Sequence, residues 1–132
     1  VTALKDGLDY LIQDTSMLYG DIGYHDWEGL SLTLEERDRL AENIRGKSCL
    51  IMRNHGFLTV GETAGEAFMN MYYLIRACKV MLQAHGSGLE LDKGPQEIWD
   101  LSRRQYNDFP PGKYEWPALL RLLDQKDPSY RN

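Results

Sequence analysis

Apolar and polar positions alternate along this chain with two periods, which together predict a domain of strands and helices. Apolar runs of strand length stand at residues 48–53 (SCLIMR) and 57–60 (FLTV), and the aromatic-rich stretch 21–29 (DIGYHDWEG) alternates like a third strand. Apolar residues spaced three and four apart predict helices over residues 34–44, 64–85, 95–106 and 116–124. The predicted order is β-α-β-β-α-α-α, which indicates a mostly antiparallel sheet covered by helices.

The first twenty residues give weaker signals than the rest of the chain. Residues 1–4 are mainly apolar with no capping residue before them, and they predict the end of a helix that stops at Gly7. Residues 9–12 fit either a short strand or a buried loop. Thr15 or Ser16 could cap one helical turn that leads to residues 19–20.

Two capping boxes mark helix starts, one formed by Thr33 with Glu36 and the other by Thr63 with Glu66. The second box opens the longest predicted helix. Its predicted buried stripe consists of Ala67, Phe68, Met71, Tyr72, Ile75, Cys78 and Leu82. A stripe of methionine and aromatic residues at this spacing is typical of packed core rather than of a cofactor site.

The two apolar runs bracket Asn54-His55-Gly56, so a tight turn is predicted to join two antiparallel strands. Such a turn holds the His55 side chain rigidly, and Gly56 would let the backbone pass close to a neighbouring group. A structural histidine and a metal ligand both remain open at this position, and the residues alone favour the structural one.

The two other histidines give no local metal motif, because no H-x-H, H-x-x-x-H or H-E-x-x-H spacing occurs. His25 lies beside acidic residues, and we interpret it as a strand tip or a polar contact rather than a ligand. His85 precedes a helix-ending glycine, where an imidazolium favours the negative end of the helix.

Composition excludes several classes of protein. With 42% hydrophobic and 27% charged residues the chain resembles soluble globular domains, and its net charge of −5 argues against nucleic-acid binding. The richest apolar stretch, residues 67–82, is broken by Asn70, Arg76 and Lys79, so no membrane span is predicted. Cys49 and Cys78 lack C-x-x-C spacing and are expected to be buried free thiols in a reducing compartment, by default the cytoplasm.

The stretch LIMRNHGFLTVGETAGEAFMNMYYLIRACKVMLQA, residues 50–84, resembles the class II aldolase and adducin head-domain family. The likeness extends through DTSMLYGDIGYHDWEG and LSLTLEERDRLAENI upstream and to WPALLRLLDQKDPSYRN at the end of the chain. It implies a three-layer α/β/α fold around a central, mostly antiparallel sheet. Residues 1–132 would be the C-terminal portion of one such domain, incomplete at its N-terminus, and the protein a homo-oligomer, by family a tetramer.

The resemblance also implies a metal site. In the family, three histidines hold a divalent ion, commonly zinc; two come from an H-x-H pair and the third from the Asn-His-Gly turn, which His55 matches. The ion acts as a Lewis acid on a small hydroxy-carbonyl, sugar-phosphate-like substrate. The pair and an acidic residue are expected upstream of this sequence. We therefore assign His55 as metal ligand, assign no catalytic residue, and expect the chain alone to be inactive.

Tyr19 raises a separate question, because the family's aldolases use a tyrosine from a neighbouring subunit in proton transfer. Tyr19 does not align residue by residue with that tyrosine, and we interpret it as a core or interface side chain.

Three interpretations of the whole chain stay open. The first is part of a metal-dependent lyase or epimerase, seen as a fragment or cleavage product. The second is a non-catalytic adducin-type module that serves subunit association or protein binding, and the third is a pseudo-enzyme from a truncated gene. A partial domain would leave a sheet edge and apolar surface uncovered, which predicts oligomerisation or co-purification with the missing segment.

Overall fold

In the computed structural model, which describes residues 1–30, 32 and 34–131, three strands form one sheet accompanied by four α-helices. The elements in chain order are β1 (Ile22–His25), α1 (Leu34–Asn43), β2 (Cys49–Met52), β3 (Gly56–Thr59), α2 (Ala64–Gly86), α3 (Gln96–Gln105) and α4 (Glu115–Lys126). Short 3-10 helices span Gln13–Leu18, Tyr106–Asp108 and Pro128–Arg131. The predicted order of elements and the α/β class are confirmed.

The sheet has the order β1-β2-β3, with β1 parallel to β2 and β2 antiparallel to β3. The predicted hairpin of β2 and β3 is confirmed. The described strands therefore form one parallel and one antiparallel pair rather than a mostly antiparallel set. The parallel pair arises because α1 lies between β1 and β2 in the chain, and a helical crossover returns the chain in the same direction.

Helices cover both faces of this sheet. Cys49 and Ile51 of β2 point to one face, where they join a buried cluster with Leu74 and Cys78 of α2. Leu50, which is also fully buried, alternates to the opposite face. There it lies beside Gly23 of β1, against the end of α1. The arrangement agrees with the expected α/β/α layers.

The first twenty residues depart from prediction. Residues 1–12 contain turns and irregular backbone instead of the end of a helix. Residues 9–12 form a partly buried loop, one of the two expected alternatives. A helical turn does precede Tyr19, but Thr15 and Ser16 are buried inside it rather than capping it, and their hydroxyls donate to the carbonyls of Ile12 and Gln13.

The start of α2 follows its capping residues. The Thr63 hydroxyl accepts a hydrogen bond from the Glu66 N–H at 3.1 Å, as predicted. The Glu66 carboxylate reaches the N–H of Glu62 at 2.8 Å, one residue before the position that a capping box specifies. The first predicted box depends on Thr33, which lies outside the described residues.

The predicted buried stripe of α2 is only partly correct. The residues that α2 buries are Gly65, Met69, Asn70, Leu74, Ala77, Cys78 and Met81. Phe68, Tyr72, Ile75 and Leu82, all predicted to be core, are exposed on a neighbouring face of the helix, which we call its outer side. Both sides of α2 are apolar, and tertiary packing selects the side that contains Leu74. None of the described helices is long and apolar enough to cross a bilayer.

Both cysteines are free and buried. Burial raises the pKa of the Cys49 thiol to about 12, and the nearby Asp21 and Cys78 add to this effect. Burial also raises the pKa of Cys78. Only a thiolate reacts readily with disulfide reagents, so both side chains should be inert in the folded protein.

We therefore expect Ellman's reagent at pH 8 to label neither cysteine in the native protein and both in denaturant. Rapid labelling under native conditions would contradict the burial of these thiols. An unfolded thiol has a pKa of about 8.5, below the folded value. The contribution of Cys49 to the free energy of unfolding is consequently intact below that pH and is lost as the pH rises toward 12.

Candidate functional site

The turn between β2 and β3 carries the one side chain that the sequence singled out, His55. The backbone N–H of His55 donates to the carbonyl of Met52 at 3.2 Å, which closes the turn. Asn54 has φ of 56°, a left-handed conformation that asparagine tolerates better than most residues. The N–H of Asn54 donates to the carbonyl of Thr2 at 3.1 Å. The turn is therefore held both by its own strands and by the first residues of the chain.

The His55 side chain is exposed at the tip of this turn. Within the described part of the chain its imidazole makes no hydrogen bond or ion pair. Within the described chain no atom lies within 4 Å of the position that a Cβ at Gly56 would take, so the close approach expected there is not to another part of this chain. A rigid backbone thus presents an imidazole with no described partner, which leaves both ring nitrogens available to a ligand.

Residues for a complete metal site are not assembled around His55. Among the described residues, no three His, Cys, Asp or Glu side chains are grouped so that they could hold a metal ion. Zinc sites in proteins have three or four protein ligands in fixed geometry, so one exposed imidazole does not bind zinc tightly. The described residues therefore do not fit a metal on their own.

His25 is buried, with 4% of its surface exposed, at the end of β1. Its Nδ1 lies 2.9 Å from the Asn43 amide nitrogen of α1. Its Nε2 faces the carboxylates of Glu36 at 3.6 Å and Glu28 at 3.8 Å. These contacts join β1 to α1, which supports the interpretation of His25 as a polar structural contact, although its burial was not foreseen.

Glu28 completes this polar junction by pairing with Arg39 of α1. The hydrogen bond from Arg39 lowers the pKa of the Glu28 carboxyl. The segment after β1 is therefore tied to α1 by a charged pair in addition to the His25 contact.

His85, in the last turn of α2, contacts the N-terminal segment of the chain as well as its own helix. Its Nε2 lies 3.0 Å from the Asp9 carboxylate, which also pairs with Lys93 at 2.6 Å. Burial acts to raise the pKa of Asp9, but the hydrogen bonds from Lys93 and His85 outweigh it and hold that pKa below its ordinary value. His85 thus fastens the N-terminal segment to α2 and has no described partner that would make it a metal ligand.

Tyr19 belongs to an aromatic cluster. Its ring lies 5.2 Å from the ring of Tyr10 and stacks on Trp99 at 5.9 Å, and its hydroxyl accepts from the Gln96 amide. The cluster links the first 3-10 helix to α3, in agreement with the interpretation of Tyr19 as a packing residue.

Sequence reasoning missed a cavity of about 470 Å³ between the first 3-10 helix and α3. Leu11, Ile98 and Trp99 form its apolar wall, and the hydroxyls of Ser16 and Ser102 meet there at 2.5 Å. The two serines are 86 positions apart, so no local pattern could have paired them. His55 does not line this cavity.

Comparison with known proteins places this geometry in a family. Residues 1–82 match the family described as Class II Aldolase and Adducin N-terminal domain. A Caulobacter vibrioides protein named "Putative aldolase class 2 protein" is 38% identical over 98% of this chain and 52% of its own length. Alpha-adducin of Mus musculus is 32% identical over 94% of this chain and 19% of its own length.

Solved structures agree with these sequence relatives. An aldolase II superfamily protein from Pseudomonas syringae superposes with a TM-score of 0.89 at 34% identity, covering 99% of this chain and 54% of that one. L-fuculose 1-phosphate aldolase from Glaciozyma antarctica shares the fold, with a TM-score of 0.77 at 20% identity over 97% of this chain and 48% of its own. The chain spans about half the length of the class 2 aldolase relatives it matches. It belongs to the class II aldolase and adducin family.

Proposed function

We propose that this chain is the His55-bearing portion of a class II aldolase-type, metal-dependent lyase or epimerase acting on a small hydroxy-carbonyl compound of the sugar-phosphate type. The observation that carries the proposal is the exposed His55 imidazole, without a described partner, on a turn that is fixed at both ends. His55 differs in this respect from His25, which is buried and lies within hydrogen-bond distance of Asn43.

The path of the N-terminal residues supports the same proposal. Thr2 accepts a hydrogen bond from Asn54, the residue directly before His55. In the family that this chain resembles, an H-x-H pair precedes this segment. Residues joined to the chain ahead of Val1 would enter beside the His55 turn, so a divalent ion, commonly zinc in the family, could be shared between them and His55. When bound, such an ion would supply Lewis-acid stabilisation of an enediolate.

The family relationship sets the wider expectations. Proteins of this family bind small molecules and oligomerise, and we propose a homo-oligomer, a tetramer by resemblance, in the cytoplasm. Because the chain spans about half of its class 2 aldolase relatives, the activity belongs to a protein that also contains the complementary half. The chain by itself is proposed to be inactive.

A second candidate is a non-catalytic adducin-type association module. It is favoured by the 32% identity to Alpha-adducin and by the outer side of α2, where Phe68, Tyr72 and Leu82 are about half exposed. Fold cannot separate the two functions, since the same scaffold serves both. Metal binding through His55 can separate them.

The test is metal content after fragment complementation. We expect this chain, co-expressed with the complementary half of the Caulobacter relative, to co-purify with about one divalent ion per pair. His55→Ala should weaken binding roughly 100-fold or more, because a first-sphere ligand is lost. Elemental analysis and zinc competition measure both.

His85→Ala is the matched control, since it removes an exposed imidazole that is paired with Asp9 instead of lying on the turn. Its metal content should equal that of the unaltered pair. A stable pair without metal, or equal metal in His55→Ala, would overturn the enzyme proposal and leave the association module.

A further inference from the structure

We propose that Arg53 is the positioning residue of the His55 turn, which it fixes by holding the N-terminal strap, residues 2–8, against that turn. The inference rests on the proposed function only in taking His55 as the functional side chain. The ordering of the strap by Arg53 stands on contacts within the described chain.

The guanidinium of Arg53 donates hydrogen bonds to backbone carbonyls of the strap. Nη1 donates to the carbonyl of Leu4 at 2.9 Å and to the carbonyl of Lys5 at 3.1 Å. Nε lies 3.5 Å from the carboxylate of Asp26, just beyond β1. A planar group with five donors can satisfy these acceptors together, which a lysine ammonium on a flexible stem does less well.

The ring of Tyr24 forms the platform beneath the strap. The Arg53 guanidinium lies 5.1 Å from the ring centroid, and the Tyr24 hydroxyl accepts from the N–H of Leu8 at 3.0 Å. Gly7, with φ of +75°, lets the backbone cross this ring, because a Cβ there would lie 2.5 Å from the Tyr24 hydroxyl oxygen. The strap therefore passes over Tyr24 at Gly7 and is held by Arg53 at Leu4 and Lys5.

The backbone at Arg53 and Asn54 links the turn to β1 and to the strap. The N–H of Arg53 donates to the carbonyl of His25 at 2.8 Å, and the N–H of the next residue, Asn54, donates to the carbonyl of Thr2 at 3.1 Å. The strap thus supplies the acceptor for the N–H of Asn54, the residue in left-handed conformation directly before His55. If the strap is released, Asn54 loses this hydrogen bond to Thr2, while the bond from Arg53 to β1 remains.

A local effect distinguishes positioning from general stability. Arg53 is not part of the buried cluster that joins β2 to α2, and its side chain is 29% exposed. The pairing of β2 with β3 is made by backbone groups and does not involve the guanidinium. Removing the guanidinium should therefore open the strap and the turn while the sheet stays closed.

Amide exchange of the 132-residue chain, followed by NMR, tests this prediction. In Arg53→Met, which keeps an apolar stem, protection of the Asn54 and Leu8 amides should fall on the order of tenfold or more. Amides in the β2–β3 ladder, such as Leu50, should change less than about threefold. Relaxation of the His55 imidazole Cε1 should report greater motion, and Arg53→Lys should lie between Met and the unaltered chain.

Arg45→Met is the matched control, because Arg45 pairs with Glu42 on an exposed surface and has no contact with the strap. It should leave all of these amides unchanged. Unchanged Asn54 exchange in Arg53→Met, equal loss across the sheet, or a Lys variant equal to the unaltered chain would overturn the proposal. These outcomes are independent of metal binding, which His55→Ala tests separately.

Discussion

Replacing Gly23 by alanine is expected to lower the free energy of unfolding by about 3 kcal/mol, because β1 has no room for a methyl group there. A Cβ at Gly23 would lie 2.1 Å from the backbone carbonyl oxygen of Asn43 and 3.1 Å from Cδ1 of Leu50. The obstructing atom is backbone, so relief requires the end of α1 to move away from the sheet. That movement would also separate the Asn43 amide from His25. Urea denaturation followed by circular dichroism measures the loss.

Gly56→Ala provides the matched comparison. Gly56 also lies in a strand and has no positive φ, but a Cβ there meets no described atom within 4 Å. Its stability should stay within about 0.5 kcal/mol of the unaltered chain. Equal stability of the two variants would show that α1 does not approach β1 as closely as the structure has it.

Features encoded by neighbouring residues were predictable from the sequence. The Thr63 cap, the long helix after it and the hairpin around His55 each depend on residues a few positions apart, and all three are confirmed. Element order followed from the same local patterns. The position of His55 on the turn was likewise predicted, while its role as a metal ligand remains a prediction.

Features that depend on distant contacts were not predictable. The sequence predicts the end of a helix that stops at Gly7, whereas the structure has the strap there, because the strap's partners, Tyr24 and Arg53, come from β1 and the turn. The burial of His25 depends on α1, whose Asn43 lies 18 positions away. The parallel pairing of β1 with β2 is a different case, because it follows from the helix between the two strands, which the element order already contained.

In the long helix α2, the sequence predicted a helix but not which of its sides is buried. The second large effect of a substitution is expected on the buried side. Leu74→Ala should lower the free energy of unfolding by about 3 kcal/mol. Leu74 is fully buried among Cys49, Ile51 and Cys78, so truncation removes buried apolar area and leaves a cavity between the helix and the sheet. Thermal and urea unfolding should both report the loss.

Ile75→Ala, one position further along the helix, removes a side chain of the same size that points about 100° away from Leu74, outside the buried face. Ile75 was predicted to be core, yet it is 39% exposed, so its truncation should cost less than about 1 kcal/mol in the isolated chain. The two variants can be compared directly, because leucine and isoleucine have the same volume and similar helix propensities. If Ile75→Ala proved as costly as Leu74→Ala, the outer side of α2 would be covered by another surface in solution. Equal and small losses would instead show that α2 does not pack on the sheet through Leu74.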